Sequence, residues 1–197
     1  MEFIEVLRKR RAVRDFKPDP VPEPLLNRMI NAAILAPSAM NAQPWRFTIV
    51  TDQSLLQEMS VLAKKFMLAA THIFARPDHF RDLFSDPNLH LFHHAPALVV
   101  ISGEAGPWVT EDCSLAAQNL MLAACEMSLS TCWIGFTQAW MNTRQGREML
   151  QVPVSEHIVA PVAVGFAKSF PPPVPRKAPS IAWISGKGEP SLFEKTQ

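Results

Sequence analysis

The sequence predicts a domain of mixed helices and strands built on a sheet that is covered on both faces, and three observations predict it. In Ala36 to Phe47, A-P-S-A-M-N-A-Q-P-W-R-F, an apolar helical pattern stops and an alternating pattern begins. Pro37 ends the helix and Pro44 prevents another from starting. Pro96 to Gly103 is a wholly apolar strand of the kind found between two layers. Cys113 to Leu129 is apolar almost all round, as a helix at the centre of a fold is.

The 197 residues suit one large domain, 1–197, with no linker; a chain of this size hides roughly 70% of the surface its unfolded form exposes. With 48% hydrophobic residues, 19% charged and a net charge of +1, neither disorder nor wholesale nucleic-acid binding is expected. Any basic function is therefore local. Cys113, Cys125 and Cys132 are odd in number and lack C-x-x-C spacing, which argues against a disulfide framework or a zinc site and fits a reducing cytoplasm. The first ten residues are too short and acidic for a signal peptide, and no run of 18 apolar residues occurs. A cytoplasmic protein without membrane or nucleic-acid partners is the expectation.

In chain order, Phe3, Ile4, Val6 and Leu7 put an apolar stripe on a short helix that runs into Arg8-Lys9-Arg10-Arg11-Ala12-Val13-Arg14-Asp15-Phe16. The cations suit a solvated helix C-terminus. They equally suit an extended segment that sets two guanidinium groups on one side, each able to grip a phosphate or a carbonyl. Lys17 to Pro22 is a stiff connector into a helix whose Leu26, Met29, Ile30, Ala33 and Ile34 face the core until Pro37 stops it. Trp45, Phe47 and Ile49 alternate with Arg46, Thr48 and Val50 as in a strand. Ser54-x-x-Gln57 reads as a capping box for a helix with Leu55, Met59, Leu62, Phe66 and Ala70 inward.

From residue 75 to 95 the periodicity fades, which suggests an irregular excursion with one short helix, a cover over a pocket. His90, His93 and His94 lack a nearby Cys or Glu to complete a ligand set, so no metal is expected. Thr110 is positioned to cap the central helix, with Glu111 and Asp112 in its first turn, and that helix is apolar enough to need cover from a second subunit. Cys132 to Phe136 reads as a strand ending at a glycine, followed by a helix from about 142 to 150. Ile158 to Ala167 is the last strand, where Pro161 suggests an edge or a bulge. Phe170 to Lys177 must be extended, and its P-x-x-P-x-K pattern also fits an SH3-type ligand. Apolar Ile181 to Ile184 then need covering, which favours an arm wrapped over a partner.

Taken together, R-R-A-V-R-D-F at 10–16, the stretch at 36–47, D-C-S-L-A-A-Q-N-L-M-L-A-A at 112–124, C-W-I-G at 132–135, P-V-A-V-G-F at 161–166 and P-R-K at 175–177 resemble the FMN-dependent nitroreductase family in order. The resemblance implies an α+β sandwich, a mixed and mostly antiparallel sheet between helices, with the arm at 170–197 exchanged in a homodimer. It places the FMN phosphate on Arg10, Arg11 and Arg176, with Lys177 beside them, and Arg14 at the pyrimidine edge of the ring. Ala12 stands in that segment where the family often has serine, and Ser128 and Ser130 stand where it often has glycine. The turn at Pro37, Ser38 and Ala39, with Asn41 and Gln43, is implied to reach the flavin of the other subunit, and the backbone of Trp133, Ile134 and Gly135 to meet the ring near N5. Asn88 lies roughly where relatives supply a further side chain.

The implied activity is ping-pong: NAD(P)H binds transiently, reduces the flavin and leaves, and a nitroaromatic, quinone or enone takes its place. No catalytic side chain is named by this scheme. The missing G-x-G-x-x-G argues against a Rossmann dehydrogenase. A flavin-destroying or dehalogenating relative would share the same cofactor contacts, and an adaptor acting through the proline arm is the non-enzymatic alternative.

Overall fold

A computed structural model describes residues 2–73 and 75–184. Helices α1 (Phe3–Lys9) and α2 (Glu23–Ala33) precede strand β1 (Trp45–Val50) and helix α3 (Gln53–Ala69); α4 (Pro77–Ser85), β2 (Ala97–Glu104) and α5 (Val109–Glu126) follow. The chain continues through β3 (Ser130–Trp133), α6 (Gly135–Met141), α7 (Arg144–Leu150) and β4 (Glu156–Gly165). The strands form one sheet in the order β1-β2-β4-β3, and every neighbouring pair is antiparallel. Among the described residues its parallel component is a single bridge between Ala12 and Thr131.

The alternation of strand side chains explains the layers. Along β2, Ala97, Val99 and Ile101 join one apolar cluster with α2 and α5, while Leu98 and Val100 join another with α3, α4, α6 and α7. All seven residues from Ala97 to Gly103 are buried, as the unbroken apolar run predicts for a strand covered on both sides. In β4 both Val159 and Ala160 face the α2/α5 side, because the pairing with β2 slips by one residue between Ile101 and Ser102. That slip is a β-bulge.

Several local expectations are corrected. Pro161 lies in a central strand, not at an edge, and the bulge that was its alternative falls two residues earlier, at Val159. The Pro161 carbonyl accepts from Ile134 N at 2.8 Å on the β3 side, where β3 has just ended at Trp133, so no ladder bond is lost to the missing N–H. Helix α3 is capped by Asp52, whose carboxylate accepts from Ser54 N at 2.8 Å and Leu55 N at 3.1 Å, so the Ser54 box is not used. Its fully buried face is Leu56, Met59, Ser60, Ala63 and Met67; of the predicted stripe Met59 is buried, Leu55, Leu62 and Phe66 are half-buried against the same core, and Ala70 falls just past the helix end. Thr110 is inside α5, which starts at Val109, two residues before the predicted start after Thr110, because Val109 is buried in the core behind Trp108. Gly135 opens a helix instead of closing a strand, and α6 was not foreseen; α7 begins at Arg144.

Helix α2 stops at Ala33, three residues short of where Pro37 would force it to, and leaves Ile34 43% exposed. Helix α5 ends at Glu126, and Ser128 then adopts φ 61° while Leu129 N bonds Ala124 O and Ser128 N bonds Cys125 O. This paired closure is a Schellman motif built without glycine. On α1 only Val6 is buried; Phe3, Ile4 and Leu7 are exposed, as is Leu115 on α5.

Candidate functional site

The cationic segment is both of the things its sequence allowed. Helix α1 ends at Lys9, Arg10 leaves it with φ −55° and ψ 128°, and the chain then runs extended along the outer edge of β3. Val13 N bonds Thr131 O at 3.1 Å, Lys17 N bonds Phe166 O at 2.8 Å and Lys168 N bonds Asp15 O at 2.9 Å. Phe16 is buried and faces Gly165, where a Cβ would stand 2.9 Å from its ring. The strap is therefore seated by backbone bonds and by two core side chains, Val13 and Phe16.

Arg10, Arg11 and Ala12 are half-buried and Arg14 is exposed. Arg11 curls back, its Nη1 donating to Arg8 O and to Arg10 O at 2.9 Å. Its Nε has no hydrogen-bond partner, nor has Ser130 Oγ; they are the buried side-chain polar atoms left unpaired among the described residues. The Arg14 and Arg10 charges reach β3, where they offset part of the rise that burial imposes on the Cys132 thiol. Arg14 also acts on His93, whose pKa is lowered to about 4 by burial first and then by Arg14 and His94. His90 is lowered to about 4 as well, by burial, His94, His93 and Lys64. The His90 ring is neutral for a structural reason: its Nδ1 accepts from Phe92 N at 3.2 Å and His94 N at 3.3 Å.

Strand β3 delivers the next group of residues to the same edge. Trp133 pairs with Val162, Ile134 is held by Pro161 O, and Gly135 opens α6. Gly135 is exposed, has no left-handed φ, and a Cβ there would meet nothing within 4 Å. Nothing in the chain requires a glycine at this position. Phe136 beside it is 38% exposed and packs edge-on against Phe80 at 5.8 Å and Phe84 at 5.2 Å, so helix α4 of the 75–95 excursion abuts the end of β3.

The turn at 37–43 is a different kind of structure. Ser38 Oγ accepts from Gln43 N at 3.0 Å, Gln43 Nε2 donates to Asn41 Oδ1 at 3.0 Å, and Ala39 N donates to Asp112 Oδ1 at 2.9 Å. Met40, Asn41 and Gln43 take φ of 52°, 56° and 48°. Three non-glycine left-handed residues in four positions are costly, about 1 kcal/mol or more each, and Met40 is 99% exposed at the tip.

The sheet register separates these groups. The strap meets Thr131, which pairs with Val164 and so with Ala97 at one end of β2, whereas the turn leads into Trp45, which pairs with Gly103 at the other end. Six residues of strand are about 20 Å and three strand spacings about 14 Å, so the corners lie roughly 25 Å apart. One chain thus brings Arg10, Arg11, Ala12 and Arg14 together with Trp133, Ile134 and Gly135. It does not bring Pro37, Ser38, Ala39, Asn41 or Gln43 to them. Arg176 and Lys177 lie exposed on the extended segment after β4, with no hydrogen bond or ion pair among the described residues, and the arm beyond residue 184 lies outside them. Asn88 is exposed in a turn, its N–H bonded to Asp86 Oδ1 at 2.8 Å. Sequence reasoning missed Asp112, read only as a helix-end charge, and His93, whose link to Arg14 spans 79 residues and had no local signal. No helix among the described residues is long and apolar enough to cross a membrane.

A family model described as the Nitroreductase family matches residues 7–166. Among solved structures, a nitroreductase with bound FMN from Bacteroides fragilis superposes with a TM-score of 0.81 at 27% identity, covering 94% of this chain and 100% of that one. A nitroreductase with bound FMN from Desulfitobacterium hafniense gives 0.78 at 26% identity, again over 94% and 100%. A Methanothermobacter thermautotrophicus protein named "Putative NADH dehydrogenase/NAD(P)H nitroreductase" is 25% identical over 132 residues, which is 62% of this chain and 54% of that protein. The match thus spans about half the length of that curated relative.

Proposed function

The chain belongs to the Nitroreductase family, and on that premise we propose that it is an FMN-dependent NAD(P)H oxidoreductase acting as a homodimer on a small nitroaromatic, quinone or enone. The observation that carries the reading is the strap: three arginines held on the edge of β3, the strand that ends just before buried Ile134 and exposed Gly135. A phosphate rewards planar, multidentate donors, and Arg10 and Arg11 offer them at one place. The unpaired Arg11 Nε lacks an acceptor, which an anion supplies. Gly135 leaves open the space that a planar ring needs to approach the backbone. The residues present fit the cofactor.

The flavin, when bound, supplies the hydride chemistry at its N5. The chain's part is to bind and orient. Arg10 and Arg11, with Arg176 and Lys177 from the arm, would hold the phosphate, and Arg14 would set positive charge at the pyrimidine edge, where negative charge grows on reduction. The Trp133–Gly135 backbone would face the ring near N5. Because the turn at Pro37, Ser38, Ala39, Asn41 and Gln43 lies roughly 25 Å from the strap of its own chain, it would complete the site of a second copy. The exposed Phe3, Ile4 and Leu7 of α1 and the exposed Leu115 of α5 support that pairing.

The absorption spectrum of the purified protein tests the reading, with FMN absorbance expected and bleached by NADH or NADPH, then restored by a nitroaromatic or quinone. A colourless protein that gains no flavin absorbance on adding FMN would refute it. Product analysis showing halide release or flavin fragmentation would move the activity to the dehalogenating or flavin-destroying branch.

A further inference from the structure

We propose that Asp112 is the positioning residue of the flavin-facing turn: its carboxylate clamps Ala39 N and holds the 38–43 backbone in the shape, with Met40, Asn41 and Gln43 left-handed, that the partner's cofactor meets. This rests on the functional reading above and deepens it.

Asp112 is 4% exposed, in the first turn of α5. Taking a carboxylate out of water is expensive unless something polar compensates. Its side-chain hydrogen bond among the described residues goes to Ala39 N at 2.9 Å, across 73 residues of chain. The turn it reaches is otherwise held by short-range bonds of its own, Asn41 N to Ser38 O and Ala42 N to Ala39 O, each 3.0 Å. Its neighbours on the surface are its own atoms, with Ser38 Oγ on Gln43 N and Gln43 Nε2 on Asn41 Oδ1, both exposed bonds. Met40, Asn41 and Gln43 are all left-handed, and Met40 projects into solvent, so the strain stabilises no core. A costly conformation that packs against nothing in its own chain persists only if the surroundings impose it. Asp112 imposes it, from a helix whose N-terminal dipole favours the negative charge. The α5 helix is in turn fixed to α2 by Asn119 Nδ2 on Ala32 O, so the clamp rests on a rigid base.

The consequence distinguishes this residue from the phosphate ligands. The turn is read as meeting the ring and not the phosphate, so its loss weakens FMN and riboflavin alike. D112A should reduce the affinity for both flavins by about tenfold or more, since an unsatisfied N–H and a released turn cost about that much. D112N keeps an acceptor in the same volume and should stay within about threefold of wild type. Flavin fluorescence quenching gives both affinities, and hydrogen exchange of the flavin-free protein should show faster exchange confined to residues 38–43 in D112A. If D112A does not fold, Ala39→Pro removes the donor from the other side of the same bond and should give the same parallel loss. Unchanged flavin affinity in D112A with wild type binding normally would overturn the role of Asp112 alone, as would a D112N variant as weak as D112A. A wild type that binds neither flavin would overturn the functional reading and this inference with it.

Discussion

The strap at 10–16 and the turn at 37–43 occupy opposite corners of one sheet and are held by opposite means. The strap is extended, unstrained, bonded through its backbone to β3 and the segment after β4, and crowded with cations. The turn is strained, exposed and clamped through one buried carboxylate. On the proposed function, the two corners recognise one small molecule from two sides. A charged phosphate asks for mobile cations on a firm backbone, whereas a flat neutral ring asks for a backbone of fixed shape.

The comparison breaks most visibly in acid, because the titrating histidines sit on the strap side. In the folded protein His90 and His93 have pKa values of about 4, against 6.5 when exposed. Between those values the unfolded chain binds protons that the folded chain refuses, so stability is full above pH 6.5 and falls as pH drops towards 4. At buried His90 alone the gap corresponds to about 3 kcal/mol. Melting curves from pH 7 to 4 should show the loss. His90→Asn, which keeps an acceptor for the Phe92 and His94 amides but does not titrate, should lessen it and leave the part due to His93, and an unchanged slope would acquit His90.

Next in size is the phosphate grip. Arg10→Ala should weaken FMN by about 1.5 to 3 kcal/mol, at least about tenfold, and leave riboflavin nearly untouched. Equal losses would mean that the strap and the turn recognise the same part of the ligand, and the distinction between the corners would collapse.

Arg14 tests whether the strap tunes the cofactor as well as holding it. If its charge stands at the pyrimidine edge, Arg14→Ala should lower the midpoint potential by roughly 20 to 45 mV, the equivalent of a charge contact of about 1 to 2 kcal/mol, with Arg14→Lys in between. Equal potentials in spectroelectrochemical titrations of fully loaded wild type and variant would remove Arg14 from the ring.

Gly135→Ala separates ligand from fold on the same edge. With open space at its Cβ and helical geometry, the variant should melt within about 1 kcal/mol of wild type, and Ala is the better helix former. Flavin affinity should nevertheless fall by about tenfold. A normal affinity would mean that the ring does not approach there.

The smallest effect contrasts two left-handed residues. Ser128→Gly relieves φ 61° in the Schellman turn after α5 and should add about 0.5 to 1 kcal/mol, a rise of about 1 to 4 °C in melting temperature. Met40→Gly relieves a similar φ in the turn but should loosen the flavin instead of helping the protein. Differential scanning calorimetry beside flavin titration checks both.

How much of this was legible follows from the range of each physical cause. The burial of β2 on both faces, the apolar run of α5 and the end of α2 before Pro37 were written in the residues themselves, since periodicity and proline geometry act over a few positions, while the path after α1 stayed open between a helix end and an extended segment. The six quoted motifs carried the family, and the cationic strap and the polar turn were both visible as candidates.

What only the tertiary structure decided was which partner each local signal found. Asp52 outcompeted Ser54 as a cap, and Val109 started α5 early because the core needed it. Pro161 took a central place because β3 stops opposite it. The same holds for the site: Ala39 meets Asp112 across 73 residues, and the strap and the turn fall at opposite corners because of strand order. Sequence alone determines what a segment can do within a few residues. Strand order and long-range pairing depend on how all the apolar faces are buried together, and no short window of sequence contains that information.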